Sequence, residues 1–129
     1  MAQTILVVDD NEANLRLIHA VLKTRGYHLL EAMSGEATLE TLTSERPALV
    51  LMDVQMPGLS GIEVARMIQA MPTMTELPLI AITAMAMKGD REEILAAGFN
   101  DYLAKPYKMG ELLALVSRWL PTEAEKGSV

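Results

Sequence analysis

Short runs of apolar residues, often β-branched, alternate with longer amphipathic segments along the chain. Most of the runs are apolar throughout and do not alternate with polar residues, which is typical of strands covered on both faces. Together the runs predict five strands, at residues 4–8, 27–32, 48–52, 78–82 and 101–104, of which the second is weaker and the fifth is short. A helical segment follows each predicted strand, so the pattern indicates a β-α unit repeated five times.

The helical segments have recognisable ends. Asp10 or Asn11 can cap the first helix, and Ser60 with Glu63 matches the S-x-x-E capping box of the third. The predicted helices cover 11–25, 35–45, a segment beginning after Ser60, 88–97, and a last segment striped with apolar residues from 109 to 119. Pro121 ends the last helix, because proline cannot continue it.

These elements predict an α/β fold in which a doubly wound parallel sheet carries helices on both faces. The 129 residues fit one domain, which we assign to residues 1–120, with 121–129 as a short polar tail. No internal repeat or interdomain linker is visible in the sequence. Any output of the protein must therefore come from the surface of this domain.

Composition narrows the class of protein. Acidic residues outnumber basic ones 17 to 11, and the net charge of -6 disfavours nucleic acids and anionic membranes as partners. The absence of cysteine excludes disulfides, thiolate metal sites and cysteine nucleophiles. The first ten residues lack the basic region of a signal peptide, and no apolar stretch reaches the ~20 residues of a membrane span. We therefore expect a cytoplasmic protein.

Polar side chains follow four of the five predicted strands. They are Asp9 and Asp10 after the first strand, Asp53 after the third, Thr83 after the fourth, and Lys105 with Pro106 after the fifth. Each alone is more often a turn or helix-cap residue. The carboxyl ends of parallel strands meet at one edge of a sheet, however, and ligands bind there. We therefore expect these side chains to converge.

The predicted cluster fits a metal-dependent phosphate site. Three close carboxylates repel one another unless a cation neutralises them, and an all-oxygen ligand set selects a hard ion such as Mg²⁺. An ammonium and a hydroxyl group suit a phosphoryl group, and a carboxylate can act as the nucleophile that accepts it. Asp53 is the candidate nucleophile because it stands alone after a buried strand, whereas Asp9 and Asp10 are adjacent and suit metal binding.

Four motifs in order carry a resemblance to a known family. They are VVDDN at 7–11, LMDVQMPGLSG at 51–61, AITA at 81–84 and YLAKP at 102–106. Together they resemble the receiver domain of bacterial two-component response regulators, the CheY-like fold, over about residues 3–120. Residues 82–106 also resemble receivers of hybrid kinases and of stand-alone regulators of the DivK type. The resemblance implies a flavodoxin-like (βα)5 sheet with strand order 2-1-3-4-5.

The resemblance also implies a role for each site residue. Asp53 would accept a phosphoryl group from a phosphohistidine on a histidine kinase or a histidine phosphotransfer protein. Mg²⁺ would be held by Asp10, Asp53 and the backbone carbonyl of Gln55, with Asp9 acting through a coordinated water. Lys105 would pair with the phosphoryl oxygens, Thr83 would hydrogen-bond the phosphoryl group, and Tyr102 matches the aromatic switch. The Lys105–Pro106 bond is expected to be cis.

The implied output is protein binding. Phosphorylation would reshape the surface of the fourth helix, fifth strand and fifth helix, and so control a downstream protein target in a phosphorelay. The domain would assist its own phosphorylation and dephosphorylation without being a turnover enzyme. Met85 occupies a position that tunes hydrolysis in receivers, and it cannot position an attacking water by a strong hydrogen bond, so we expect a long-lived acyl phosphate.

Two apolar features have two interpretations each. Met85 and Met87 either belong to a partner-docking face or pack on the fourth helix. The first helix carries more apolar residues than one stripe requires. The excess around Leu15 is either a wide core face or the place where a histidine-bearing partner helix docks.

Three alternative functions agree less well with the sequence. A small aspartate-nucleophile phosphohydrolase needs a D-x-D motif after the first strand, whereas the two acids here are adjacent. A receiver that serves only as a non-phosphorylated scaffold is disfavoured by the intact acid, threonine and lysine set. A fragment of a hybrid kinase is disfavoured by the start at Met1. The sequence does not identify the kinase, the target, the pathway or the oligomeric state.

Overall fold

The computed structural model of the protein describes residues 3–74, 76–84 and 87–120. Two of the predictions fall outside this range. Met85, the residue proposed to tune hydrolysis, and the polar tail at 121–129 both lie beyond the described residues.

Five strands and five helices alternate along the chain, as predicted. The strands are β1 (Thr4–Val8), β2 (His28–Ala32), β3 (Leu49–Asp53), β4 (Leu79–Thr83) and β5 (Asp101–Ala104). The helices are α1 (Glu12–Lys23), α2 (Gly35–Ser44), α3 (Gly61–Gln69), α4 (Lys88–Ala96) and α5 (Met109–Trp119). β3 and β4 each extend one residue past their predicted ends. Asp53 and Thr83 are consequently the last residues of their strands and are held by the sheet itself.

The strands form one parallel sheet in the order β2-β1-β3-β4-β5. This confirms the predicted doubly wound fold and its strand order. β2 lies on one side of β1 and β3 on the other, so the direction of winding reverses between β1 and β3. Ligands bind in the crevice beyond the carboxyl ends of the strands at such a reversal.

Two buried layers cover the sheet because successive residues of a strand point to opposite faces. α2, α3 and α4 pack on the face that carries Leu6, Val50 and Ala81. α1 and α5 pack on the face that carries Ile5, Leu49 and Ile82. All residues of β3 and β4 are buried, which explains why their sequences are apolar until the last position.

The burial of individual residues in α1 distinguishes between the core-face and the docking interpretations of its excess apolar residues. Leu15 is only 2% exposed and belongs to the core layer, so the core-face interpretation applies to it. Leu17 is 51% exposed and is the large apolar residue that α1 leaves outside the core. Leu17 is two positions from Leu15, which on an α-helix turns it to a different face.

The connection from β3 to α3 requires a glycine where it enters α3. The backbone N–H of Gly61 donates to the carbonyl of Val54 at 2.9 Å, which closes the loop directly behind Asp53. A Cβ atom on Gly61 would lie 2.7 Å from the Cα atom of Val54. Ser60 and Glu63 form the predicted capping box, so α3 begins at a fixed point after this loop.

None of the helices in the described parts of the chain is both long and apolar enough to cross a membrane.

Candidate phosphoryl and metal site

Three carboxylates meet where β1 and β3 end. One oxygen atom from each of Asp9, Asp10 and Asp53 lies within 4.8 Å of the others. The register pairs Val8 of β1 with Met52 of β3, so the residues that follow them are neighbours at the sheet edge. Asp9 and Asp53 are 3% and 6% exposed, whereas Asp10 faces solvent. The structure thus brings together the three acids that the sequence placed at this edge.

Both oxygens of Asp53 accept hydrogen bonds. The ammonium of Lys105 donates to Oδ2 at 3.2 Å, and the backbone N–H of Gln55 donates to Oδ1 at 3.0 Å. Lys105 is held at the end of β5, where its backbone N–H donates to the carbonyl of Thr83 at 2.8 Å. The bond between Lys105 and Pro106 is cis. The predicted ammonium therefore lies against the candidate nucleophile.

The first turn of α1 fixes the carboxylate of Asp9. Its Oδ1 accepts from the backbone N–H of Asn11 at 2.9 Å, and its Oδ2 accepts from the side-chain amide of Asn14 at 3.3 Å. Asn11 also caps α1 by accepting from the N–H of Asn14 at 3.1 Å, which decides between the two cap candidates. Asn14 is not among the site residues predicted from the sequence, although its place one turn after the acid pair is a signal that could have indicated it.

Negative charge is concentrated at this edge. Burial raises the pKa of Asp9, and the neighbouring charge of Asp53 adds to the increase, while the N–H of Asn11 is the main effect that opposes it. Burial also raises the pKa of Tyr107, and the charges of Asp9 and Asp53 contribute. Three carboxylates face one ammonium, and all the candidate ligand atoms are oxygen. This donor set fits a hard divalent cation such as Mg²⁺.

Thr83 and Tyr102 share one face of the sheet. The register pairs Ala81 with Tyr102 and Thr83 with Ala104, and residues two apart on a strand point the same way. This is the face on which α4 packs. Thr83 is fully buried, Tyr102 is partly buried, and the guanidinium of Arg91 on α4 lies over the Tyr102 ring at 5.3 Å from its centroid. Arg91 is not among the residues predicted from the sequence.

An open, largely apolar groove adjoins the acidic edge. Its volume is about 450 Å³, and it is lined by Asn14, Leu17, Ala84, Lys105, Pro106, Tyr107 and Met109. Asn14 and Lys105 are the residues that connect it to Asp9 and Asp53. The groove combines residues from α1, the end of β4, the β5–α5 connection and the start of α5, so no single sequence segment predicts it.

The family follows from a match over most of the chain. The model of the response regulator receiver domain matches residues 5–117. The protein belongs to the response regulator receiver domain family.

Particular relatives agree with both resemblances seen in the sequence. The signal transduction histidine-protein kinase BarA of Escherichia coli K12 is 41% identical over 121 residues, which are 94% of this chain but 13% of BarA. The polar-differentiation response regulator DivK of Brucella anthropi is 33% identical over 120 residues, covering 93% of this chain and 98% of DivK. The chain thus corresponds to a small part of BarA and to nearly the whole of DivK.

Solved structures include a close match in shape. The receiver domain of the sensor histidine kinase PA1611 from Pseudomonas aeruginosa PAO1 superimposes with a TM-score of 0.84 at 40% identity. The match covers 92% of this chain and 98% of that one, and that receiver has a magnesium ion coordinated in its active site cleft.

Proposed function

We propose that this domain, residues 1–120, accepts a phosphoryl group on Asp53 from a phosphohistidine of a partner kinase or phosphotransfer protein. The observation that carries the proposal is the buried Asp53 carboxylate, which lies within reach of Asp9 and Asp10 and is paired with the ammonium of Lys105 at 3.2 Å. A carboxylate in this setting is a nucleophile next to groups that stabilise a transferred anion.

Asp10, Asp53 and the backbone carbonyl of Gln55 would hold Mg²⁺, with Asp9 contributing through a water. Bound there, Mg²⁺ would neutralise charge on the phosphoryl oxygens and on the carboxylates. The fit rests on the all-oxygen donor set within 4.8 Å. The magnesium in the related Pseudomonas receiver supports the same choice of ion.

The transfer step exchanges one bond to phosphorus for another. An oxygen of Asp53 bonds to the phosphorus atom while the phosphorus–nitrogen bond of the phosphohistidine breaks, and its electron pair stays on the imidazole. The product is an acyl phosphate with about -1.5 to -2 charges. Lys105 exchanges its carboxylate partner for a phosphoryl oxygen, which keeps an ammonium against the new charge.

Movements of Thr83 and Tyr102 would couple phosphorylation to a change at the protein surface. Thr83, the last residue of β4, would turn its hydroxyl toward the phosphoryl oxygens, and the ring of Tyr102 would move into the space it vacates. The neighbours on this face, Ala81 and Ala104, are small and leave room for the ring. The surface formed by α4, β5 and α5 would then change, which is a shift between two populations.

The phosphohistidine partner would dock in the groove beside Lys105. Leu17 and Tyr107 provide exposed or partly exposed apolar surface there, next to the nucleophile. A partner that seats an apolar helix in this groove would bring its histidine to Asp53. Leu17 takes the place that the sequence analysis gave to Leu15.

The output in this proposal is the binding of a downstream protein target, in the cytoplasm, with neither nucleic acid nor membrane as partner. The domain assists the formation and loss of its own acyl phosphate and is not a turnover enzyme. Met85 stays a predicted tuning residue that slows hydrolysis and contributes to the partner face.

The proposed chemistry is tested by incubation with acetyl phosphate. We expect the intact mass to increase by one phosphoryl group in the presence of Mg²⁺ and not after its removal with EDTA. Asp53→Asn keeps the size of the side chain but removes the nucleophile, so this variant should not gain mass. Equal labelling of wild type and Asp53→Asn would contradict the proposal.

A further inference from the structure

Arg91 has an unusual position for an exposed arginine. It lies on α4, and its guanidinium stacks over the ring of Tyr102 at 5.3 Å from the centroid. Its acidic sequence neighbours Asp90, Glu92 and Glu93 are one or two positions away on the helix, and residues so spaced do not face one another. Over the described ranges, the ion pairs of the molecule do not include Arg91.

We propose that Arg91 is a positioning residue that holds the ring of Tyr102 in its resting orientation and thereby sets how often the unphosphorylated domain samples the switched state. We call this contact between Arg91 and Tyr102 the latch. The inference rests on the proposed function, because it takes Tyr102 as the switch. A guanidinium over an aromatic face is attracted by the electron density of the ring. If the ring turns inward toward Thr83, it leaves the guanidinium, so the latch stabilises the resting state alone.

An interaction made in only one of two states shifts the equilibrium by its full strength. A cation–π contact at an exposed site corresponds to a factor of about two to five in such an equilibrium. Removal of Arg91 should therefore raise the switched fraction of the unphosphorylated domain by about two- to fivefold. If the switched state reacts faster with small phosphodonors, phosphorylation should accelerate by a similar factor.

The test compares Arg91→Gln with wild type by the rate of phosphorylation with acetyl phosphate and saturating Mg²⁺. Arg118→Gln is the matched control, because the substitution removes the same charge from α5, where Arg118 pairs with Asp101 at the start of β5 instead of stacking on the Tyr102 ring. We expect a two- to fivefold faster rate for Arg91→Gln, an intermediate rate for Arg91→Lys, and an unchanged rate for Arg118→Gln. Equal rates for Arg91→Gln and wild type would overturn the proposal.

A double-mutant cycle separates the latch from a general structural effect. In a Tyr102→Leu background there is no ring to hold, so Arg91→Gln should no longer alter the rate. An undiminished effect of Arg91→Gln in that background would show that Arg91 acts elsewhere and would overturn the proposal.

The NMR signals of ring-labelled tyrosine distinguish failure of the latch from failure of the proposed function. Beryllofluoride with Mg²⁺ mimics a phosphoryl group, and it should shift the Tyr102 ring signals of the wild type. In Arg91→Gln the signals should lie partway toward these positions before beryllofluoride is added. If the wild type responds and Arg91→Gln starts at the wild-type positions, the latch alone is wrong. If the wild type does not respond, the Tyr102 switch in the proposed function is absent, and the latch fails with it.

Discussion

Asp9 is buried at the sheet edge beside a second carboxylate, and each of its oxygens is held by a donor from the start of α1. Its pKa is raised, mainly by burial and also by the charge of Asp53. The ionised form is therefore less favourable in the folded protein than in the unfolded chain. A divalent cation at this site would reverse that preference, because it favours the carboxylate.

The raised pKa of Asp9 predicts how stability depends on pH. A carboxyl group whose pKa is higher in the folded state stabilises the fold when protonated, and this contribution is lost as the pH rises through the folded pKa. The magnesium-free wild type should therefore gain stability, relative to Asp9→Asn, as the pH falls toward the unperturbed aspartate value of about 3.9. Urea unfolding of both proteins at a series of pH values measures this difference. A difference that does not change with pH would contradict the assignment.

The side chain of Asn14 should also affect how tightly the site binds Mg²⁺. Its amide orients Oδ2 of Asp9, and loss of a group that orients a metal-site residue commonly weakens metal binding tenfold or more. We expect Asn14→Leu, which keeps the approximate size but lacks the donor, to bind Mg²⁺ about tenfold more weakly in calorimetry. The exposed Ala13 is on the same turn, so Ala13→Leu provides the control. A Mg²⁺ affinity of Asn14→Leu equal to that of the control would remove this role.

Among the elements, the β3–α3 connection sets the position of Asp53, the proposed nucleophile. Gly61 brings the start of α3 against the backbone of Val54, immediately after Asp53. A side chain there meets backbone atoms, which cannot rotate away. The placement of Asp53 and Gln55 thus depends on a residue that carries no chemistry.

Gly61→Ala should destabilise the protein by about 1–3 kcal/mol, the usual cost of overpacking a close contact. It should also weaken Mg²⁺ binding, because the loop that positions Gln55 must shift. Gly110, near the start of α5, offers a matched control, since a Cβ atom added there would have nothing within 4 Å. Gly110→Ala should stabilise by about 0.5 kcal/mol, because alanine is the better helix former. Chemical denaturation that ranks the two variants equally would contradict this account of the loop.

A charged residue in the groove beside Lys105 should weaken docking of the partner protein. Leu17→Glu places a charge where the partner's apolar surface would seat, and we expect phosphotransfer from a histidine phosphotransfer protein that labels the wild type to fall about tenfold or more. Labelling by acetyl phosphate should be unaffected, because Asp53 and its hydrogen-bond partners are unchanged. Met67→Glu is the control, since Met67 is 44% exposed on α3, away from the groove. Equal loss in both variants, or none in Leu17→Glu, would place the docking surface elsewhere.

At the scale of the whole molecule, the sequence was informative wherever local pattern and topology agree. The apolar runs predicted β1, β3 and β4 clearly, because these strands are buried in the sheet. The partly exposed edge strands β2 and β5 gave weaker or shorter runs. The order of polar residues after the strands predicted that Asp9, Asp10 and Asp53 would meet. The sequence could not rank Leu15 against Leu17, because the face of α1 that meets the sheet depends on how the helix docks.

The pattern of apolar and polar residues likewise could not predict contacts between segments that are distant in the sequence. Arg91 contacts Tyr102 because α4 packs beside β5. Leu17 lines the groove because α1 packs beside the β5–α5 connection. Neither position stands out from its neighbours in the sequence. The residues of the acidic edge could be found because the strand ends fix them, whereas those that surround it are fixed by helix packing.

Identification of the modified residue shows whether Asp53 carries the phosphoryl group. The protein is labelled with acetyl phosphate and Mg²⁺, treated with sodium borohydride, which reduces an aspartyl phosphate to homoserine, and then digested for tandem mass spectrometry. We predict homoserine at position 53 and aspartate at positions 9 and 10. Homoserine at position 9 or 10, or unchanged aspartate at 53 in a protein that has gained a phosphoryl group, would contradict this prediction.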